Sequence, residues 1–209
     1  MRILVAMSGG VDSSVVAALL KEQGHEVIGV TVKLWEGPNG EMPESGCCTA
    51  SDSEDARKVA SKLDIPYYVL DYTESFSKNV VDNFTQMYAQ GLTPNPCVEC
   101  NRSVKFDHFI TQAKKLNCDK VATGHYAKII KKNNEFELHK ADYLDKDQSY
   151  VLHMLKSSDL ENISFPLGEI SKPEVRQIAA RIGLKTAFKK DSQDICFVGK
   201  KDYRSFVEK

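Results

Sequence analysis

Cys97 and Cys100 stand in NPCVECN, residues 95–101, with a proline before the first and an amphipathic helical pattern after the second. A C-x-x-C pair of this kind is half of a zinc site, a redox couple, or a catalytic thiol with a helper. A second candidate lies near the N-terminus. In SGGVDSS, residues 8–14, two glycines let the backbone turn tightly and approach an anion closely. A helix starting there adds unpaired N–H groups and the positive end of its dipole. Ser8, Ser13 and Ser14 can donate hydroxyl hydrogen bonds, and Asp12 can hold Mg²⁺ or position the loop. No lysine follows, so the loop is not G-x-x-x-x-G-K-[ST], and it is not G-x-G-x-x-G either. A plain Gly-Gly turn is the bland alternative. A third candidate is TGHYA, residues 123–127, where His125 is either a surface histidine or, beside Gly124, a site residue.

These residues need elements to position them. Ile3 to Met7 is a continuous apolar run, the pattern of a parallel strand covered on both faces. Residues 12–23 read as a helix stopped by Gly24. HEVIGVTV, YYVL and KVAT read as further strands, with helices between them. One helix has Ala56, Val59, Ala60 and Leu63 inward and Ser51 or Ser53 as its cap. Phe76, Val80, Phe84 and Met87 mark another, and Phe106, Phe109, Ile110, Ala113 and Leu116 a third. The alternation predicts an α/β fold with a doubly wound parallel sheet. Both glycine-bearing loops then fall at the carboxyl ends of strands, where such sheets bind ligands. The rhythm changes after residue 127: AKIIKKNNEFELHKA predicts a β-hairpin insertion turning at Asn133-Asn134. SKPEVRQIAARIG predicts a helix with Ser171 as cap, Pro173 in its first turn, Glu174 completing a capping box, and Gly183 at its end.

The chain has 209 residues, 42% hydrophobic and 27% charged, which suits one large domain or one domain and part of another. No run of 18 apolar residues is present to span a membrane, and the start lacks the pattern of a signal peptide, so a cytoplasmic protein is expected. In that setting the six cysteines, at 47, 48, 97, 100, 118 and 196, are reactive, metal-binding or core residues before they are disulfides. A net charge of −1 gives no global attraction for nucleic acid. Local basic clusters, Lys128/Lys131/Lys132, Lys185/Lys189/Lys190 and Lys200/Lys201, read first as solvated lysines. The final DYRSFVEK stops in what reads as mid-helix, so the chain is expected to be a fragment. Residues 1–199 would form a catalytic domain and residues 200–209 the start of a second.

SGG-x-DS between a strand and a helix resembles the signature of the PP-loop ATP pyrophosphatases. Members bind ATP through its pyrophosphate and transfer AMP to a carbonyl-type oxygen, and the activated carbon is then attacked by nitrogen or sulfur. MSGGVDSSVVAALL, NPCVECNRSVKF, ATGHYAKI, KDQSYVLH and DSQDICFVG occur here in order. Together they resemble the tRNA 2-thiouridylase branch, over essentially the whole chain. The resemblance implies that Ala6, Met7, Ser8, Gly9, Gly10, Val11, Asp12 and Ser13 cradle ATP, with Val32 and Gly124 also touching the nucleotide. It implies that Asn95, Pro96 and Cys97 lie beside the target base, and that His125, Lys146, Asp147 and Gln148 touch tRNA. Cys100 matches the nucleophile and Cys196 the persulfide carrier. ATP with Mg²⁺ would be the cosubstrate, and tRNA and a sulfur-donor protein the partners.

Cys97 departs from the pattern, since well-known members have an aspartate there. It is a bystander beside Cys100 and Cys196, or it takes over acid–base work, or the three cysteines hold an iron–sulfur cluster with an open iron, as in other thiolases of this fold. Structural zinc needs a fourth ligand, and C-x-x-C occurs once. Cys118 reads as a core residue; Cys47 and Cys48 have no assigned role. Two competing functions stay open: a small-molecule PP-loop ligase, which leaves Cys100 and Cys196 unexplained, and a non-catalytic tRNA-binding or redox module.

Overall fold

The computed structural model describes residues 1–36, 49–189, 195–198 and 203–208. Cys47, Cys48, Lys190, Lys200, Lys201 and the first residues of the DSQDICFVG motif lie outside that set. The elements run β1 (Arg2–Ala6), α1 (Val11–Glu22), β2 (Glu26–Lys33), α2 (Ala50–Lys62) and β3 (Tyr67–Asp71). Then α3 (Thr73–Phe76) continues through a π-helical stretch, Ser77–Val81, into α4 (Asp82–Ala89). Likewise α5 (Pro96–Cys100) continues through a second π-helical stretch, Asn101–Phe106, into α6 (Asp107–Lys115). After β4 (Lys120–Ala122) come the hairpin strands β5 (Ala127–Lys132) and β6 (Glu135–Lys140), then α7 (Ser157–Leu160), β7 (Ile163–Ser164), α8 (Lys172–Arg181) and α9 (Tyr203–Val207).

The main sheet has the order β3-β2-β1-β4-β7, and every pairing in it is parallel. The chain builds outward from β1 in one direction, then crosses to β4 and β7 on the other side. The β1/β4 boundary is therefore the topological switch point, where a crevice opens beyond the strand ends. Alternate residues of β1 serve opposite faces. Ile3 and Val5 join a core with Val15, Val16, Leu20, Val59, Val175 and Ala179, from α1, α2 and α8. Leu4 joins Ile28 of β2 and Phe76, Val80, Phe84, Val104 and Phe109, from the two π-interrupted helices. Leu4 and Val5 are both fully buried, each worth about 1.5–3 kcal/mol relative to exposure.

The doubly wound sheet and the hairpin thus match the expectation. At the hairpin tip Asn133 and Asn134 have φ of 47° and 70°, the left-handed pair that a two-residue turn demands. The Ser171–Glu174 capping box forms as expected. Two expectations change. The cap of α2 is Thr49, not Ser51 or Ser53; its side chain accepts from Asp52 N, and Asp52 returns the bond. The sheet also gains β7, whose two residues are too short to leave an apolar pattern.

Candidate active site

A cleft of about 330 Å³ opens at the switch point. Its floor is the loop after β1. Met7 N donates to Val30 O at 2.8 Å, and Thr31 Oγ1 donates to Met7 O at 2.6 Å, so the chain leaves the sheet only after Met7. Gly9 then takes φ +73° and packs directly against the backbone of Asp52 in α2. α1 starts with Gly10 as N-cap, and no side chain among the described residues caps it. Its first N–H groups and the positive end of its dipole therefore face the cleft. Ser13 Oγ accepts from Ser8 N at 3.1 Å and ties the loop to the helix. Ser14 is wholly buried and donates to Gly10 O at 2.7 Å, so its role is to hold the turn.

Four lysines, Lys105, Lys146, Lys172 and Lys189, line this cleft against two aspartates, Asp12 and Asp52. The cleft is thus cationic although the whole chain carries −1. Lys172, 7% exposed, donates to both oxygens of Asp12 at 2.8 and 2.7 Å. Tyr126 Oη donates to Asp12 Oδ1 at 2.8 Å, and the Lys172 ammonium lies 5.9 Å from the centre of the Tyr126 ring. Lys189 donates to Asp52 at 2.7 Å, Asp55 at 2.6 Å and Gly9 O at 3.2 Å. Burial alone lowers its pKa, but the bonds to the two carboxylates outweigh that and hold it above the usual lysine value. Lys189 therefore leaves the solvated-cluster reading. Both cleft carboxylates already meet an ammonium group, and among the described residues no group of three or more His, Cys, Asp or Glu is arranged to hold a metal ion. Asp12 fits the loop-positioning role, and the described residues present no cage for Mg²⁺.

Of the expected nucleotide residues, Ala6, Met7, Ser8, Gly10, Val11, Asp12, Ser13, Val32 and Gly124 line the cleft. Gly9 backs it, and Gly124 lies against Ser13 and Asp12. Of the expected tRNA residues, His125, Lys146 and Gln148 line it as well. His125 pairs through Nδ1 with Thr123 Oγ1 at 2.8 Å and sits between Phe106 and Phe165. Asp147 does not face the cleft: it accepts from Ala141 N and Ser149 Oγ and shapes its own turn. Asn95 caps α5 by accepting from Cys97 N and Val98 N, and Pro96 occupies the first turn.

The three proposed working cysteines are not part of the cleft lining. Cys97 is exposed on the first turn of α5, and Cys100 is buried, 6% exposed. Cys100 belongs to the apolar cluster with Leu4, Phe76 and Phe84, and Cys196 packs against that same cluster. Val30, Val32 and Phe109 belong to it too and also line the cleft, so Cys100 and Cys196 share an apolar cluster with part of the cleft lining. Cys97 stands outside it. The iron–sulfur cradle of three cysteines is therefore not assembled in this conformation. Cys118 is half-buried against the same core.

Tyr126, Lys105, Lys172 and Asp52 escaped the sequence reading, and Lys189 enters it only as one of a solvated cluster. Tyr126 stood inside a quoted motif. Lys172 had a signal: a cation at the first position of a helix opposes the dipole and needs an anion from elsewhere.

A curated relative from Chloroflexus aurantiacus, named tRNA-specific 2-thiouridylase MnmA, is 50% identical over 206 residues, 98% of this chain and 57% of the relative. One of the same name from Rickettsia peacockii is 51% identical over 207 residues, 99% of this chain and 57% of the relative. The chain thus spans somewhat over half the length of the curated relatives it matches. In the fold it is similar to a crystal structure of a 4-thiouridine synthetase–RNA complex with bound ATP, at TM-score 0.61 and 16% identity, covering 99% of this chain and 49% of that one. The model of the tRNA methyl transferase HUP domain family matches residues 1–200, and the chain belongs to that family.

Proposed function

We propose that this chain carries the catalytic domain of an ATP-dependent tRNA uridine 2-sulfurtransferase. The observation that carries the reading is the cationic cleft at the switch point, built on a helix N-terminus that no described side chain caps, with Cys100 and Cys196 in contact with the apolar cluster that supplies part of its lining. The names of the curated relatives support it, as does the likeness in fold to a protein that binds ATP and RNA.

In this reading the triphosphate lies over the loop of residues 7–13, with its charge met by α1 and by Lys172 and Lys189. Magnesium would arrive with the nucleotide, held mainly by phosphate oxygens and water. The uridine O2 attacks the α-phosphorus, and pyrophosphate leaves. AMP then becomes a far better leaving group on C2 than oxide. The outer sulfur of a persulfide on Cys196 attacks C2 and AMP departs. The Cys100 thiolate attacks the inner sulfur, breaks the S–S bond and closes a Cys100–Cys196 disulfide, which external thiols reduce. No step is assigned to an iron–sulfur cluster, because the three cysteines do not fit one as arranged.

The test is AMP and pyrophosphate release with and without tRNA, for wild type and Cys196→Ser. The expected result is tRNA-stimulated AMP release in both and thiolated product only in wild type. Equal thiolation by Cys196→Ser would sink the persulfide assignment, and ATP turnover indifferent to tRNA would point to a small-molecule ligase.

A further inference from the structure

Tyr126 occupies a position that the proposed chemistry does not use. It is 2% exposed and sits between two parts of the cleft. At one end its hydroxyl donates to Asp12 Oδ1 of the phosphate loop at 2.8 Å. At the other its backbone is bonded twice to Gln148: Tyr126 N donates to Gln148 Oε1 at 3.1 Å, and Gln148 N donates to Tyr126 O at 2.8 Å. Gln148 closes the turn that also carries Lys146, and both line the cleft that the phosphate loop lines too. One buried side chain thus spans from the loop to the turn without an intervening solvent gap.

The occupant of the loop bears on this strut through charge. Lys172 bonds both oxygens of Asp12. A polyphosphate laid over α1 is a stronger anion than one carboxylate and competes for that ammonium. Asp12 then relies more heavily on the Tyr126 hydroxyl, a charge-assisted bond that strengthens as its rival weakens. The backbone of Tyr126 is pinned to Gln148, so a firmer hold on the hydroxyl is a firmer hold on the turn. We infer that Tyr126 is a positioning residue that transmits filling of the phosphate loop to the turn carrying Lys146 and Gln148. That turn is thereby ordered for the second substrate once the nucleotide is in place. The inference rests on the nucleotide reading of the cleft.

Tyr126→Phe removes the hydroxyl and keeps the ring. The measurement is backbone hydrogen exchange in peptides covering residues 143–152, with and without a non-hydrolysable ATP analogue and magnesium, alongside calorimetric binding of the analogue. In wild type the analogue should slow exchange there by about fivefold or more, the low end of ordinary coupling between sites. The Phe variant should bind the analogue and protect residues 8–14, yet lose the added protection in the turn. A purely structural role would raise exchange equally with and without the analogue. Gln148→Met removes one of the two bonds at the other end of the strut, leaves the backbone bond, and should give a partial loss of the added protection, which keeps the test available if Tyr126→Phe does not fold. Retained protection in a variant that binds, or no protection in wild type that binds, overturns the inference. Failure of wild type to bind the analogue overturns the nucleotide reading itself, and the inference with it.

Discussion

Gly9→Ala and Gly24→Ala separate two costs that a glycine can hide. Both glycines adopt left-handed backbone, φ +73° and +79°. A Cβ on Gly24 meets nothing within 4 Å, whereas one on Gly9 would lie 2.1 Å from the carbonyl oxygen of Asp52, where ordinary contact begins at 3.4 Å. The left-handed conformation costs an alanine about 1–2 kcal/mol, and the stiffer unfolded chain returns about 0.4–1. Gly24→Ala should therefore lose roughly 0.5–1 kcal/mol, or about 1–4 °C in melting temperature for a chain of this size. Gly9→Ala adds a backbone clash, which in a packed site costs about 1–3 kcal/mol more. Its expected loss is roughly 1.5–4 kcal/mol, or about 3–16 °C. The clash also pushes α2 from the loop, straining the Lys189 bonds to Gly9 O and Asp52, so nucleotide binding should weaken while Gly24→Ala leaves it unchanged. Thermal melts with titration of an ATP analogue read both effects. If the two variants melt together and bind the analogue alike, the close packing of the phosphate loop on α2 is refuted.

Lys189→Met should lower the melting temperature at neutral pH by a few degrees. The folded pKa of Lys189 is raised, so its stabilising contribution is complete below the unfolded value of 10.5 and is lost as pH rises through the higher folded value. The gap between wild type and variant must therefore close at strongly alkaline pH; a gap independent of pH would contradict the ion-pair account. Phe197→Ala removes a ring packed 5.7 Å from Phe76, 5.2 Å from Phe84 and 6.3 Å from Trp35. The neighbouring Cys196 should loosen, giving a red-shifted Trp35 emission and faster labelling of Cys100 by a thiol reagent; unchanged emission and labelling would mean that this ring does not dock the segment. Cys97→Asp should retain sulfur transfer and show no change in bound iron after anaerobic purification, because Cys97 is exposed while Cys100 is buried, and the three cysteines are not arranged to hold a metal. Iron and sulfide at cluster stoichiometry in wild type, lost in the variant, would restore the cluster reading.

Much of this molecule was legible from sequence because short-range physics governs it. The phosphate loop is announced by glycines between an apolar strand and a helix, the Asn133-Asn134 turn by residues that tolerate left-handed backbone, and α8 by its reciprocal cap. Where two hydroxyls compete for a cap, local rules choose poorly: Thr49 wins over Ser51 and Ser53 because Asp52 returns its bond. The C-x-x-C pair divides between solvent and core for a geometric reason. On a helix its members sit about 60° apart around the axis. At the margin of a buried face that is enough to leave Cys97 in solvent and send Cys100 into the core. Even so, Lys172 shows that a long-range partner can leave a local trace. Its bond to Asp12 spans 160 positions and no periodicity reveals it. Yet a lysine at the head of a helix opposes the dipole and demands an outside anion. The doubly wound order brings α8 beside α1, whose first turn holds an aspartate next to a cleft that wants positive charge. The misplaced cation and the crowded anion are two halves of one device, and each looks unfavourable until the topology joins them.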